Sequence, residues 1–171
     1  MAAEPLVLLD LGRNAMDDAC AEILAASLAN NTTLEVLGLS GNGNISCVGW
    51  EYFRRLVCDT SIVSATHGSN HTLQRIEHEA IRTEGPQPTT LKSALADNGR
   101  PGTPKEKACR KIFDHHFNKG NSLGPLLDMD VKLMPGVFSW IDKRSDEDFG
   151  VGCRNNLVYQ ILQTSNVCAF V

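Results

Sequence analysis

The sequence predicts an α/β fold in which short parallel strands alternate with outer helices and further helices close the C-terminal end. Three observations predict it: an apolar pattern that occurs twice, helical spacing of apolar residues after each copy, and a change of composition in the second half of the chain. A fixed period indicates that the repeated units stack on one another.

The repeated pattern consists of three leucines and an asparagine. Its members are Leu6, Leu9, Leu11 and Asn14 in the first copy and Leu34, Leu37, Leu39 and Asn42 in the second, each 28 positions later. In the first copy, Asp10 and Gly12 alternate with the last two leucines, which predicts a strand whose leucines face the core. The asparagines follow the strands, where an amide can satisfy backbone groups of the turning chain, and the two should form a ladder.

A helix is expected after each strand. Leu24 and Leu28 are four positions apart, as are Phe53 and Val57, so each pair shares one helical face. Charged residues supply the outer faces: Glu22, Glu51, Arg54 and Arg55. The second helix follows the first by 29 positions, so one residue is inserted in the turn before it.

The pattern L-x-x-L-x-L-x-x-N, followed by a helix within 28 or 29 residues, resembles the ribonuclease-inhibitor-like class of leucine-rich-repeat proteins. The resemblance covers Leu6 to Ile81. It implies a short solenoid with parallel strands on its concave side and helices outside. It also implies that the concave side binds other proteins.

A third copy begins near residue 70 and is degenerate. Leu73 and Ile76 occupy its first two apolar positions, but His78 and Ile81 stand where a leucine and an asparagine should follow. The asparagine ladder is therefore expected to stop at the second copy. The polar run from Ser61 to Ser69, which lengthens the spacing before this copy, is expected to be a loop.

The resemblance and the composition divide the chain into three parts. Residues 1–84 form the leucine-rich repeats, two good copies plus a degenerate third; 85–103 form a connection rich in proline and glycine, with a short helix at Thr90 to Asn98; and 104–171 form a helical C-terminal cap. Thr103, Pro104 and Glu106 have the spacing of a capping box with proline at the first helical position, which predicts a helix start. The apolar face of this helix comprises Cys109, Ile112, Phe113, His116 and Phe117.

Two further helical stretches are expected in the cap. The stretch from Leu123 to Lys143 is apolar, but Pro135 removes a helical hydrogen bond, so a break is expected near Met134. Asn155 to Thr164 has the apolar spacing of a last helix. Three segments resemble the end region of leucine-rich-repeat proteins from unicellular algae: Lys111 to Phe117, Leu133 to Ile141 and Leu157 to Leu162. That resemblance implies bulky helices that cover the end of the solenoid.

Charge and composition exclude several partners. The net charge is −4 and the basic residues are scattered, so neither nucleic acid nor a membrane is expected as a partner. Apolar runs are too short to cross a bilayer, and Met1 to Gly12 lacks the basic start and cleavage site of a signal peptide. We expect a cytoplasmic or nuclear protein that is not secreted, with its six cysteines reduced.

One short motif matches a known metal-binding motif in its amino-acid sequence. Asp114, His115 and His116, with Asp128-Met129-Asp130 further on, match the metal-binding motifs of the DHH phosphoesterases. Those motifs need strand ends in a larger α/β domain. Here Asp114 to His116 fall in a predicted helix, where successive side chains diverge by about 100° and cannot converge on one ion. A metal-dependent phosphoesterase is therefore the less favoured alternative.

His67 and His71 have a spacing that is typical of zinc ligands on a helix. The residues between them include glycine, serine and asparagine, which favour a solvated loop, and no further ligand follows at a regular interval. The chain also lacks a nucleophile elbow and a phosphate-binding glycine loop. We expect no catalysis, no metal and no cofactor.

The candidate site is the outward face of the strands, where an unidentified protein partner should bind. Its members are Leu8, Asp10, Val36, Ser40, Arg75 and Glu77, with Gly12 and Gly38 between them. Leu8 beside Val36 is an exposed apolar pair, a feature of contact surfaces. A regulatory repeat of the GTPase-activator or innate-sensor type is an alternative, although activators would require a matched acidic and arginine surface over many more repeats.

The first copy of the repeat has nothing before Leu6 that could cover its core. One interpretation is that the chain is the C-terminal fragment of a longer array. The other is that a partner or a second copy covers this end, so self-association through the uncapped N-terminal repeat is a further expectation.

Overall fold

The computed structural model describes residues 4–79, 89–117, 130–133, 135, 136 and 139. Within them, three strands alternate with helices. The strands are β1 (Leu8–Asp10), β2 (Val36–Gly38) and β3 (Arg75–Glu77). The helices are α1 (Asp18–Leu28), α2 (Cys47–Val57), α3 (Val63–His67), α4 (Thr89–Gly99) and α5 (Pro104–Ile112), with a π-helical turn at Phe113–Phe117 and a 3₁₀ turn at Val131–Leu133.

The three strands form one parallel sheet in the order β1-β2-β3. Leu9 pairs with Leu37, and Leu37 pairs with Ile76. The pairing of the two leucines, which the 28-residue spacing predicted, is confirmed. The described part of the chain is therefore an α/β structure with a small parallel sheet and helices, and we call β1 with α1 the first layer and β2 with α2 the second.

The core lies between the sheet and the helices. Leu37 and Leu39 of the second layer are fully buried, and α2 covers them with Phe53 and Val57, which are also inaccessible to solvent. Both residues lie on the helical face that their spacing predicted. Burial of each such side chain stabilises the fold by roughly 1.5–3 kcal/mol relative to its exposure.

A close contact joins α1 to α2. A Cβ on Gly49 would lie 2.7 Å from Cγ2 of Ile45 and 3.3 Å from Cβ of Ala21, so only glycine allows this approach. Asp18 of α1 also reaches the start of α2. Its Oδ1 accepts from the Ser46 and Gly49 amides at 2.8 and 3.0 Å, and its Oδ2 accepts from the Ser46 hydroxyl at 2.6 Å. The first layer thus satisfies amides that the second helix leaves open.

Asn42 links the two layers through backbone groups. Its Nδ2 donates to the carbonyls of Leu11 and Leu39, both at 2.9 Å, and its Oδ1 accepts from the amides of Asn14 and Met16 at 2.9 and 3.1 Å. The predicted role of the asparagine, satisfaction of the turning chain, is confirmed. In the third copy, buried His78 follows β3 at the position equivalent to Leu39 and lies beside Trp50 with ring centroids 4.8 Å apart.

A second series of asparagines lies in or just after the last turns of helices. Asn70 donates through Nδ2 to Leu28 O at 2.9 Å and Asn31 O at 3.0 Å. Asn98 donates in the same way to Asn70 O at 3.0 Å and Leu73 O at 2.7 Å. These bonds run from each turn to the one before it, and the repeated leucine pattern did not indicate them.

The run from Ser61 to Ser69 is not only a loop, because it contains the short helix α3. Val63 and Thr66 are fully buried, and α3 packs against α5. The polar residues that favoured a loop instead satisfy the backbone around the helix. The Ser69 hydroxyl donates to Ala65 O at 3.0 Å and accepts from the Asp59 amide at 3.0 Å.

The helix expected within the proline- and glycine-rich connection is present as α4. Leu91, Ala94 and Leu95 are buried in the same core as Leu37, and α4 packs against α2 and β3. The capping box that begins α5 is also confirmed. The Thr103 hydroxyl accepts from the Glu106 amide at 3.3 Å, while the Glu106 carboxylate accepts from the Thr103 amide at 2.8 Å.

Most of the predicted cap lies outside the described residues. This applies to the motif residues Asp128 and Met129, to most of Leu123 to Lys143 including Met134, and to the last helix expected at Asn155 to Thr164. Ile81 of the degenerate third repeat also lies outside the described residues. Within the described ranges, none of the helices has the length and apolar character that a membrane span needs.

Candidate functional site

The outward positions of the strands form two rows across the sheet. In the first row, Leu8 pairs with Val36 and Val36 with Arg75. Leu8 is 55% exposed, Val36 is half-buried and Arg75 is exposed. The expected apolar pair is therefore brought together beside a guanidinium group.

The second row joins Asp10, Gly38 and Glu77. A Cβ on Gly38 would lie 2.6 Å from Oδ1 of Asp10, so the glycine makes room for that carboxylate. Asp10 Oδ1 also accepts from the Gly12 amide at 2.9 Å, which fixes its direction. Glu77 lies 3.2 Å from Arg75 between Oε1 and Nε, and because both side chains are open to solvent this ion pair contributes little stability.

Ser40 lies two residues after β2 and makes contacts with neighbouring chain segments. Its hydroxyl donates to Glu77 O at 3.3 Å, and its own carbonyl accepts from the Arg13 amide at 2.8 Å. A Cβ on Gly12 would lie 3.0 Å from the same carbonyl oxygen. Ser40 and Gly12 therefore join neighbouring chain segments.

A buried polar cluster beside α5 was not indicated by the sequence. Lys111 is fully buried, and its Nζ donates to Val57 O at 2.6 Å, Asn70 O at 3.3 Å and His71 Nδ1 at 3.3 Å. His71 Nε2 donates to His67 O at 2.9 Å. Burial lowers the pKa of Lys111 to about 8, and burial followed by the charge of Lys111 lowers the pKa of His71 to about 4. His71 is therefore a neutral imidazole whose two nitrogens are both engaged.

A cavity of about 480 Å³ lies next to this cluster. Burial, followed by the charge of Lys105, lowers the pKa of His67, and burial raises the pKa of the Cys109 thiol. The described residues that line the cavity include no carboxylate: His67, His71, Pro104, Lys105, Ala108, Cys109, Lys132, Leu133 and Gly136. In the described ranges, no three histidine, cysteine or acidic side chains lie close enough to hold one metal ion.

Asp114, His115 and His116, which match the phosphoesterase motif, lie on the π-helical turn that follows α5. His116 Nε2 lies 2.7 Å from the Thr66 hydroxyl, so this nitrogen has a partner in α3. Burial, followed by the charge of His115, lowers the pKa of His116. Asp130 accepts through Oδ1 from the Lys132 amide at 2.9 Å, as a residue that begins a short turn commonly does. These contacts give His116 and Asp130 structural roles.

Comparison of the chain with protein-family models, with curated proteins and with solved structures finds no match.

Proposed function

We propose that the chain is a non-catalytic protein-binding module in which leucine-rich layers stack as a short solenoid. The observation that carries the proposal is the register that sets Leu9, Leu37 and Ile76 side by side on parallel strands. Leu9 and Leu37 occupy the same position of the repeated pattern, so the spatial stacking follows the sequence period. In this proposal α5 begins a helical cap over the β3 end, which its packing against α3 and α4 supports.

The outward rows favour a protein as the ligand. Leu8 and Val36 offer apolar area, while Arg75, Asp10 and Glu77 surround it with both signs of charge. An apolar centre with a charged rim is the usual anatomy of a protein interface, where the apolar part supplies affinity and the charges set orientation.

Site-specific photo-crosslinking tests this proposal in the intact chain. A photoreactive residue is placed at Leu8 on the sheet face and, as a matched control, at exposed Ala26 on α1. In extracts of the native source, we expect one protein to crosslink from position 8 and not from position 26. The charge reversal Arg75→Glu should reduce the yield at least about tenfold, because a rim charge affects orientation and association rate.

Three results would reject the outward face of the strands as the binding surface. They are equal crosslinking from both positions, a partner captured only from position 26, and a yield from position 8 that Arg75→Glu leaves unchanged. Circular dichroism of each variant checks that the fold is retained, since Arg75 and Ala26 are exposed and neither contributes to the core.

A further inference from the structure

The outer side of the first layer contains an unused acceptor. In the second layer, Asn42 Oδ1 accepts two backbone amides of the layer before it. Asn14 occupies the same position of the repeat, but its Nδ2 donates to Leu11 O at 3.0 Å and Gly12 O at 3.3 Å within its own layer. No described residue donates to Asn14 Oδ1. This oxygen is therefore available to a layer on the other side of β1.

The second asparagine series has an unused donor at the same end. Asn31 Oδ1 accepts from the amides of Thr33 and Leu34 at 3.0 and 2.7 Å, just as Asn70 Oδ1 accepts from Thr72 and Leu73. The Nδ2 of Asn70 reaches back to the turn after α1, whereas Asn31 Nδ2 has no acceptor in the part of the chain that the structure describes. In both series, the first asparagine therefore has a group with no hydrogen-bond partner among the described residues, and the two groups lie at the same end of the molecule.

Equivalent apolar residues differ in exposure between the two layers. Leu6 is 58% exposed and its counterpart Leu34 is 2% exposed. Leu9 and Leu11 are only partly buried, although their counterparts Leu37 and Leu39 have no accessible surface. On α1, Ile23 is 68% exposed and lies about 200° around the helix from Ala21, which contacts α2. Apolar surface and unused polar groups therefore coincide on one face.

We propose that the face formed by β1 and α1 docks one further leucine-rich layer, a parallel strand and a helix with this chain's own spacing. The unused groups match those through which the second layer contacts the first, and this match requires a parallel arrangement of the docked layer. A two-fold related copy would place β1 antiparallel to itself and would bring like groups together. A head-to-tail copy is disfavoured because α5 packs on the elements at the opposite end.

The occupant that we propose is a repeat whose helix leads into β1, in the same way that α1 leads into β2. The segment from Ala29 to Glu35 connects α1 to β2, and an equivalent connection would lead from the helix of the docked layer into β1. This inference uses the layer stacking of the proposed function, but it does not depend on partner binding by the sheet face. The two can therefore fail separately.

Extension of the chain by its own repeat provides the test. A copy of Leu6 to Thr33 is inserted directly before Leu6, which keeps the register because Leu6 and Leu34 occupy the same repeat position. Amide hydrogen exchange at Leu8 and Leu9 of the original layer should slow at least about tenfold. The matched control carries aspartate at the inserted copies of Leu9 and Leu11, and its original β1 should exchange at the rate of the unextended chain.

A second measurement isolates the unused oxygen. Asn14→Ala should accelerate global exchange roughly fivefold to tenfold more in the extended chain than in the original, because only there does Oδ1 accept two amides. Equal effects in both chains, or an inserted copy that exchanges as unfolded chain, would overturn the proposal. So would a tight dimer of the original chain in sedimentation that Ile23→Asp disrupts and Leu8→Asp leaves intact, since the occupant of the β1 and α1 face would then be a second copy.

Discussion

The ammonium group of Lys111 lies 3.3 Å from Nδ1 of His71 in the interior, where it donates to two backbone carbonyls and to no described carboxylate. A cation buried without a counter-ion is costly, and the cost appears as lowered pKa values on both partners. This pair should therefore make stability depend on pH on both the acid and the alkaline side of neutrality.

On the acid side, stability should fall between pH 6.5 and 4. The pKa of His71 is about 4 in the folded chain, below its ordinary 6.5, so the unfolded state binds more protons in this window and becomes favoured as the pH falls. Urea unfolding across the range should show a loss of about 2 kcal/mol from this residue. His71→Gln, which keeps a donor and an acceptor, should unfold with a much flatter profile; an unchanged profile would contradict the assignment.

On the alkaline side, Lys111 has an effect of the same sign as His71, because its pKa is also lowered in the folded chain. Its folded pKa of about 8 lies below its ordinary 10.5, so its contribution to stability rises as the pH increases from 8 to 10.5. Burial raises the pKa of Cys58 and the charge of Lys111 partly offsets this, so both chains in the following comparison carry Cys58→Ala and are otherwise native except at position 111. The difference in unfolding free energy between the chain that keeps Lys111 and Lys111→Met isolates the lysine. That difference should shift in favour of the chain that keeps the lysine above pH 8, and a constant difference would argue against the buried ammonium.

Asn42 and Asn14 are equivalent in sequence but should differ in energy. Asn42→Ala removes four hydrogen bonds and leaves Leu11 O and Leu39 O without this donor, so we expect a loss of roughly 2–4 kcal/mol. Asn14→Ala should cost less than about 1 kcal/mol, because its bonds are exposed and local. Urea denaturation compares the pair, and equal losses would contradict the direction of the ladder.

Gly49 and Gly43 form a matched pair of glycine substitutions. Gly49→Ala places a Cβ 2.7 Å from Ile45 and against Asp18, and should destabilise the chain by about 1–3 kcal/mol through overpacking between α1 and α2. A Cβ on Gly43 would meet nothing within 4 Å, so Gly43→Ala should change the thermal midpoint little. If Gly49→Ala did not change the thermal midpoint, the close packing of α1 against α2 at this glycine would be contradicted.

The sequence could predict what depends on spacing along the chain. The register of Leu9 with Leu37 follows from one repeat period, and the start of α5 follows from the local capping chemistry of Thr103 and Glu106. The series of Asn31, Asn70 and Asn98 also had a signal, since the last two are 28 positions apart, but a leucine pattern does not draw attention to turns.

Other features depend on contacts between distant segments and could not be predicted. Helix α3 is stabilised by only two buried side chains in a polar run, so its periodicity is too short to recognise. The burial of Lys111 depends on carbonyls of α2 and of the turn at Asn70, 54 and 41 positions away. At the candidate face, Leu8 and Val36 were placed correctly, but the Ser40 hydroxyl is engaged with Glu77 O, which alternation along a strand does not reveal.

Nuclear Overhauser effects between neighbouring strands test the stacked layers most directly. Isotope-labelled protein should give backbone contacts from Leu9 to Leu37 and from Leu37 to Ile76 in the pattern of parallel strands, together with methyl contacts between the two leucines. Contacts that indicate antiparallel pairing, or a register displaced by one residue, would contradict the account, because Leu8 and Val36 would then leave the outward face.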